Sequence, residues 1–213
     1  MLKKLLLLSF VILLTGCQSA YYSAMEQVGV HKREILVDRV ENARDAQGEA
    51  QEQFKDALEQ YRAVVQFDGG KLETLYDRLQ AEYDDSVEAA DNVSERIKGV
   101  EQVAQALFEE WEDELEQYQS ANLRAQSAKQ LKDTEKRYTA LLRVMKRAEQ
   151  RMQPVLSALN DNVLYLKHNL NARAVGALKG EFAGIQQNID RLINEMQRSI
   201  QESDTFIRAM ETQ

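Results

Sequence analysis

Apolar residues recur along this chain in alternating steps of four and three, the spacing that keeps one face of an α-helix turned toward a partner. In the first run the seam reads Leu36, Val40, Ala43, Gln47, Ala50, Phe54, Ala57, Tyr61 and Val64, with Gln47 the polar intruder. Held over four heptads, it predicts a helix over about residues 25–67 that lies along neighbouring helices. Asp68-Gly69-Gly70 ends it, because glycine takes the positive φ that stops a helix at no steric cost. A second run from Leu72 through Leu79, Ala90, Ile97 and Leu107 to Trp111 and Tyr118 predicts a helix over about 71–119. So short a connection makes the two an antiparallel hairpin.

Ser120 and Asn122 mark a weaker break between Gln119 and Arg124. A third helix over about 123–175 carries Leu131, Tyr138, Leu142, Met145, Met152, Leu156, Leu159, Val163, Leu166 and Leu170 on its seam. Pro154 lies inside this run, where it removes a backbone donor and crowds the preceding turn at a cost of about 3 kcal/mol. The heptad phase is kept from Met152 to Leu159, so a kink is expected there and not a chain reversal. Further on, Ala172, Gly176, Gly180 and Gly184 stand four apart. Two readings are open, one continuous helix bearing a smooth stripe or a turn at Gly176 to Gly180. The turn is adopted, which gives a last helix over about 179–211 with Leu178, Phe182, Ile185, Ile189, Leu192, Met196, Phe206 and Met210 inward. The expected fold is all-α: an elongated antiparallel four-helix bundle or coiled coil over 25–213, with helices reaching roughly 65 to 70 Å.

The segment ahead of the bundle has a different pattern. Lys3 and Lys4 precede an apolar core from Leu5 to Leu14, which has about half of the roughly 20 residues that a membrane span requires. Leu14-Thr15-Gly16-Cys17 follows, and this box looks like a bacterial lipobox. The resemblance implies a signal peptide over 1–16, cleavage before Cys17, a diacylglyceryl group on the Cys17 sulfur and acylation of the new amino terminus. Cys17 is the single cysteine, so no internal disulfide competes for it. Two or more acyl chains anchor a protein stably without a transmembrane helix. By the same resemblance Gln18, where an inner-membrane signal would carry aspartate, implies the outer membrane with the body in the periplasm. Residues 17–24 are then a lipidated tether, whose Tyr21 and Tyr22 either rest at the membrane interface or open the first helix.

Charge adds a partner argument. The net charge is −8, which disfavours nucleic acid, whose binding needs a basic footprint. Residues 71–119 hold fifteen acidic and four basic side chains, while 120–175 hold four acidic and eleven basic. A hairpin turning near residue 121 is expected to set the acidic run Glu109, Glu110, Glu112, Asp113, Glu114 and Glu116 beside Arg124, Lys129, Lys132 and Lys136. The functional alternative for the basic helix is contact with anionic lipid head groups, glycan or a protein.

No catalytic or cofactor constellation stands out. His31 and His168 belong to neither a Glu-x-x-His pair nor His-Glu-x-x-His, and Gly69-Gly70-Lys71 lacks the upstream glycine of a P-loop. The acids around Glu112 read as a solvated face. The stretch Val163-Leu164-Tyr165-Leu166-Lys167-His168-Asn169-Leu170-Asn171-Ala172 is denser in apolar side chains than one helix face needs, and reads as a buried helix with His168 and Asn169 hydrogen-bonded near a bend. With the lipobox and the four-helix pattern, this run resembles a family of Gram-negative, mainly gammaproteobacterial, lipoproteins catalogued as a domain of unknown function. The resemblance implies an envelope-located, coiled-coil-rich protein and transfers no activity or site residue.

The leading expectation is a non-enzymatic, membrane-anchored adaptor or structural protein with no cofactor. Lipidation falls on Cys17, and a partner-binding tip far from the membrane is formed by Asp68, Gly69, Gly70, Lys71, Gly176, Lys179 and Gly180. A protein partner in the envelope is expected, and the same seams would serve a homo-oligomer. The alternative is a lipid or other small apolar ligand held between helices near Pro154, with Tyr138, Met145 and Met152 as adaptable lining.

Overall fold

A computed structural model describes Tyr22, Met25 and residues 29–212 of the chain. Four long helices carry the fold: α1 (Lys32–Val65), α2 (Leu72–Leu115), α3 (Ala121–His168) and α4 (Ala172–Glu211). At 1.5 Å per residue they run from about 50 Å for α1 to about 70 Å for α3. Each packs on its neighbours in chain order and α4 closes the ring against α1, so the chain runs up, down, up and down around one core. The heptad seams are that core: Leu36, Val40, Phe54, Tyr61, Leu79, Ile97, Met145, Leu159, Ile189 and Met196 are all fully buried. Each large side chain so buried contributes roughly 1.5 to 3 kcal/mol.

The turns explain where each helix stops. Gly69 (φ +154°) and Gly70 (φ +106°) occupy the positive-φ region between α1 and α2, as their sequence requires. Ser120 caps α3 by accepting from the Leu123 N–H at 3.4 Å. The last turn departs from the expected one. It falls at Asn169 to Asn171, and the Asn171 side chain caps α4 by accepting from the N–H groups of Arg173 (3.0 Å) and Ala174 (3.2 Å). Gly176 and Gly180 therefore lie inside α4, in the continuous-helix arrangement.

The first helix also starts later than residue 25. Met25 is helical, but Gly29 turns the chain at φ +85° and the Val30 N–H donates to the Met25 carbonyl at 3.0 Å. That bond spans six residues and is the closure by which a glycine ends a helical turn; α1 begins anew at Lys32. Pro154 sits within an unbroken α3, and Met152, Val155, Leu156 and Leu159 remain buried across it. It does not reverse the chain, because seam burial on both sides offsets the missing donor.

Cross-helix bonds fix the axial levels. The Tyr61 hydroxyl meets Asn162 of α3 and Leu178 of α4 near the α1–α2 loop. At the other end Lys32 Nζ bonds Glu110 Oε1 at 2.9 Å, and the Arg33 guanidinium donates to the Met210 carbonyl. Beyond that level, of the four long helices α2 and α3 continue in register among the described residues, tied by Trp111 Nε1 donating to Ser127 Oγ at 2.8 Å. The α2–α3 hairpin thus overhangs the start of α1 and the end of α4.

The expected charge pairing is displaced. Among the described residues, the ion pair joining α2 to α3 is Lys146 Nζ to Glu101 Oε2 at 2.8 Å, about two turns below the acidic run. Arg124, Lys129, Lys132 and Lys136 make no ion pair with that run and are exposed. Long side chains at the overhang face solvent, where holding an exposed pair gains only about 0.2 to 1 kcal/mol.

Candidate functional site

Among the described residues, large apolar side chains left exposed by the bundle lie at its two ends. Tyr118 and Leu123 lie on the overhang, and Leu164, Tyr165 and Leu170 lie at the opposite end with the α1–α2 and α3–α4 loops; all five are between 40% and 53% exposed. The loop end is the richer surface. There the two loops face each other across a cleft of about 410 Å³ lined by Phe67, Gly70, Lys71, Leu72, Leu170 and Asn171. A second groove of about 380 Å³ opens beside it between α3 and α4, with Ala158, Tyr165, Leu178 and Ile185 as apolar walls and Asp161 and Glu181 as carboxylates.

A buried polar tie stiffens the floor of this surface. Tyr61 Oη lies 2.8 Å from Asn162 Oδ1 and 3.0 Å from the Leu178 carbonyl, and Asn162 Nδ2 donates back to the Ala158 carbonyl at 2.7 Å. The Tyr61 ring stacks on Phe182 with centroids 5.8 Å apart and planes at 11°, and the Arg62 guanidinium lies 5.8 Å from the Phe182 ring centroid. Burial pushes the Tyr61 phenol far up, and the nearby Glu181 carboxylate adds to it, so the hydroxyl stays protonated as a donor. The polar groups at this end hold structure. The surface they support offers apolar anchor points around two clefts, which is binding geometry.

The expected tip residues divide. Asp68, Gly69, Gly70 and Lys71 sit on the loop end and are exposed. Gly176, Lys179 and Gly180 are exposed on the flank of α4, roughly 6 to 12 Å down from its first residue. Added Cβ atoms at Gly176, Gly180 and Gly184 would meet open space, so these glycines are not demanded by packing within the bundle. Cys17 and Tyr21 lie outside the described residues. Tyr22 is helical and buried in the core with the Lys32 ammonium 6.0 Å from its ring centroid, which favours, of the two readings, the one in which it opens a helix.

The run 163–172 is not the buried helix expected from its density. Val163 and Leu166 point inward, whereas Leu164, Tyr165, His168 and Leu170 are exposed. Asn169 is hydrogen-bonded as expected, through Nδ2 to the Tyr165 carbonyl at 2.9 Å. The surplus of apolar residues was the available signal for this surface. The seam near Pro154 is packed: Met145 and Met152 are fully buried, and Tyr138 meets Phe108 edge-on at 5.4 Å, with burial and then Glu101 pushing its phenol up to about 12. Among the described residues no group of three or more His, Cys, Asp or Glu side chains is disposed to hold a metal ion, and no helix is long and apolar enough to cross a membrane.

Residues 21–210 match the model of a family described as "Protein of unknown function (DUF2959)". Neither the curated proteins nor the solved structures gave a match.

Proposed function

We propose, for a chain that belongs to the DUF2959 family, a non-enzymatic role as a lipid-anchored adaptor of the Gram-negative envelope. In this reading Cys17 fixes one end of a rod to the outer membrane, and the loop end carries a protein partner in the periplasm. The observation that carries it is the concentration of Leu164, Tyr165 and Leu170 around the two clefts at the end opposite Tyr22. Exposed apolar patches rimmed by polar residues mark interaction sites, and an aromatic anchor beside a cleft is the common centre of one. The lipobox resemblance supports the anchor, and the length of α3 sets the working distance at about 70 Å from it.

Photo-crosslinkers at Lys71 and Leu170 test the tip in cells, with one at the mid-helix surface position Glu88 as the control. Capture of one discrete partner from the two tip positions supports the proposal; capture from Glu88 alone refutes it. The anchor is tested separately by Cys17→Ser, which is expected to release the protein from the outer-membrane fraction. Retention of the variant in that fraction would overturn the anchor.

A further inference from the structure

The overhanging α2–α3 hairpin has the features of a foot. Trp111 and Ser127 are level with each other just past the start of α1, and α3 begins at Ala121, six residues or about 9 Å beyond Ser127. On this projecting end Tyr118 and Leu123 are exposed, and a cleft of about 390 Å³ lies between Tyr118, Ala121, Arg124, Ala125 and Ala128. The three alanines form a smooth floor, with an aromatic ring and a guanidinium at its rim.

The start of the chain shows what meets this end. Tyr22 is seated beside Lys32, at the level of Glu110, and stands only five positions after Cys17. Five residues span at most about 17 Å when fully extended. A membrane holding the Cys17 lipids therefore lies within about 17 Å of Tyr22, and the hairpin projects about 10 Å past the level of Tyr22 at this same end of the bundle. For a membrane lying across that end the gap to the hairpin is at most about 7 Å, and a shorter tether closes it.

We infer that the α2–α3 turn rests on the surface of a zwitterionic phospholipid bilayer, making a second membrane contact that sets the rod upright. The inference rests on the Cys17 anchor proposed above. Tyr118 and Leu123 supply the amphipathic and apolar side chains that suit the headgroup level. The charges select the lipid. Residues 109–131 carry six carboxylates and the cations Arg124 and Lys129, a mixture that repels an anionic surface but matches a headgroup bearing both signs. Arg124 has no carboxylate partner among the described residues and is free to meet a lipid phosphate, while Glu114 and Glu116 face the ammonium.

Spin labels at Tyr118→Cys and, for reference, Leu170→Cys test this in the mature lipidated protein on phosphatidylcholine–phosphatidylethanolamine vesicles; acylation of Cys17 leaves each introduced thiol as the labelled one. The label at 118 is expected to be at least threefold less accessible to a neutral nickel chelate than the label at 170, with oxygen access raised. Equal chelate access at both positions, in protein that floats with the vesicles, overturns the foot and leaves the anchor standing. Protein that fails to float overturns the anchor and the foot together. Replacing half the lipid with phosphatidylglycerol should raise chelate access at 118; unchanged protection would overturn the choice of a zwitterionic surface.

Discussion

Tyr61 donates a single phenolic proton toward two buried acceptors, Asn162 Oδ1 at 2.8 Å and the Leu178 carbonyl at 3.0 Å, and so joins α1 to α3 and α4 at one level below the loop end. Removing the hydroxyl leaves both oxygens without this donor in a dry environment, which costs more than the bond itself contributes. Tyr61→Phe is expected to lower stability by about 1 to 3 kcal/mol, seen as a lower urea midpoint with an unchanged slope. A midpoint equal to that of the parent would show that the tie has no net value.

The two perturbed phenols give a pH signature. Burial raises Tyr61 and Tyr138, with Glu181 and Glu101 respectively as the second cause, and Tyr138 stands at about 12 against 10.0 for a free side chain. A raised folded-state value means that the unfolded chain loses its proton first. The stabilisation is complete below about pH 10 and is lost as pH rises through about 12. In an ultraviolet titration, ionisation of Tyr61 and Tyr138 is expected to coincide with the loss of helical circular dichroism. Ionisation of both phenols near pH 10 in a protein that keeps its helical signal would contradict the burial argument.

The fold was legible because the seam and the core coincide: every position from Leu36 to Val64 on the first seam is buried, Gln47 included. Turns were legible where chemistry forces them, as at Gly69 and Gly70. The Asn171 turn was hidden because Leu170 sits in heptad phase, and the glycines downstream offered a more familiar breaker than an asparagine cap. Gly29 was passed over for a similar reason, since Val30 and Ile35 continue an apolar pattern on its far side. Charge totals gave the hairpin partner but not the register, because exposed lysines and glutamates gain too little from pairing to fix it. The loop-end patch was visible only as surplus: Leu164, Tyr165 and Leu170 exceed what one buried face can absorb.

Glycine replacement discriminates between a turn and a helix over residues 176–180. Gly176 and Gly180 are helical, exposed and surrounded by open space, so alanine meets no neighbour and restricts the unfolded chain. Gly176→Ala and Gly180→Ala are each expected to add about 0.5 to 1 kcal/mol of stability, measured as a raised melting temperature. At Gly70, where φ is +106°, alanine is expected to lower it. Destabilisation by both α4 substitutions would restore the turn to that segment.

Gln47 poses the opposite problem, a polar side chain where the seam asks for an apolar one. It is fully buried between Ala43 and Ala50 on α1, and neither its Oε1 nor its Nε2 has a hydrogen-bond partner among the described residues. Ser199 of α4 is also fully buried, with Oγ unpartnered. A desolvated amide without partners costs about 1 to 3 kcal/mol, so Gln47→Leu is expected to stabilise the bundle by a similar amount in urea unfolding. Polar seam positions also restrict which helices pair, because an alternative pairing must bury the same amide. The variant should therefore be more stable and less selective, with a broader distribution of oligomers in native mass spectrometry than the parent. A Gln47→Leu protein that is less stable than the parent would mean that the amide is satisfied in solution.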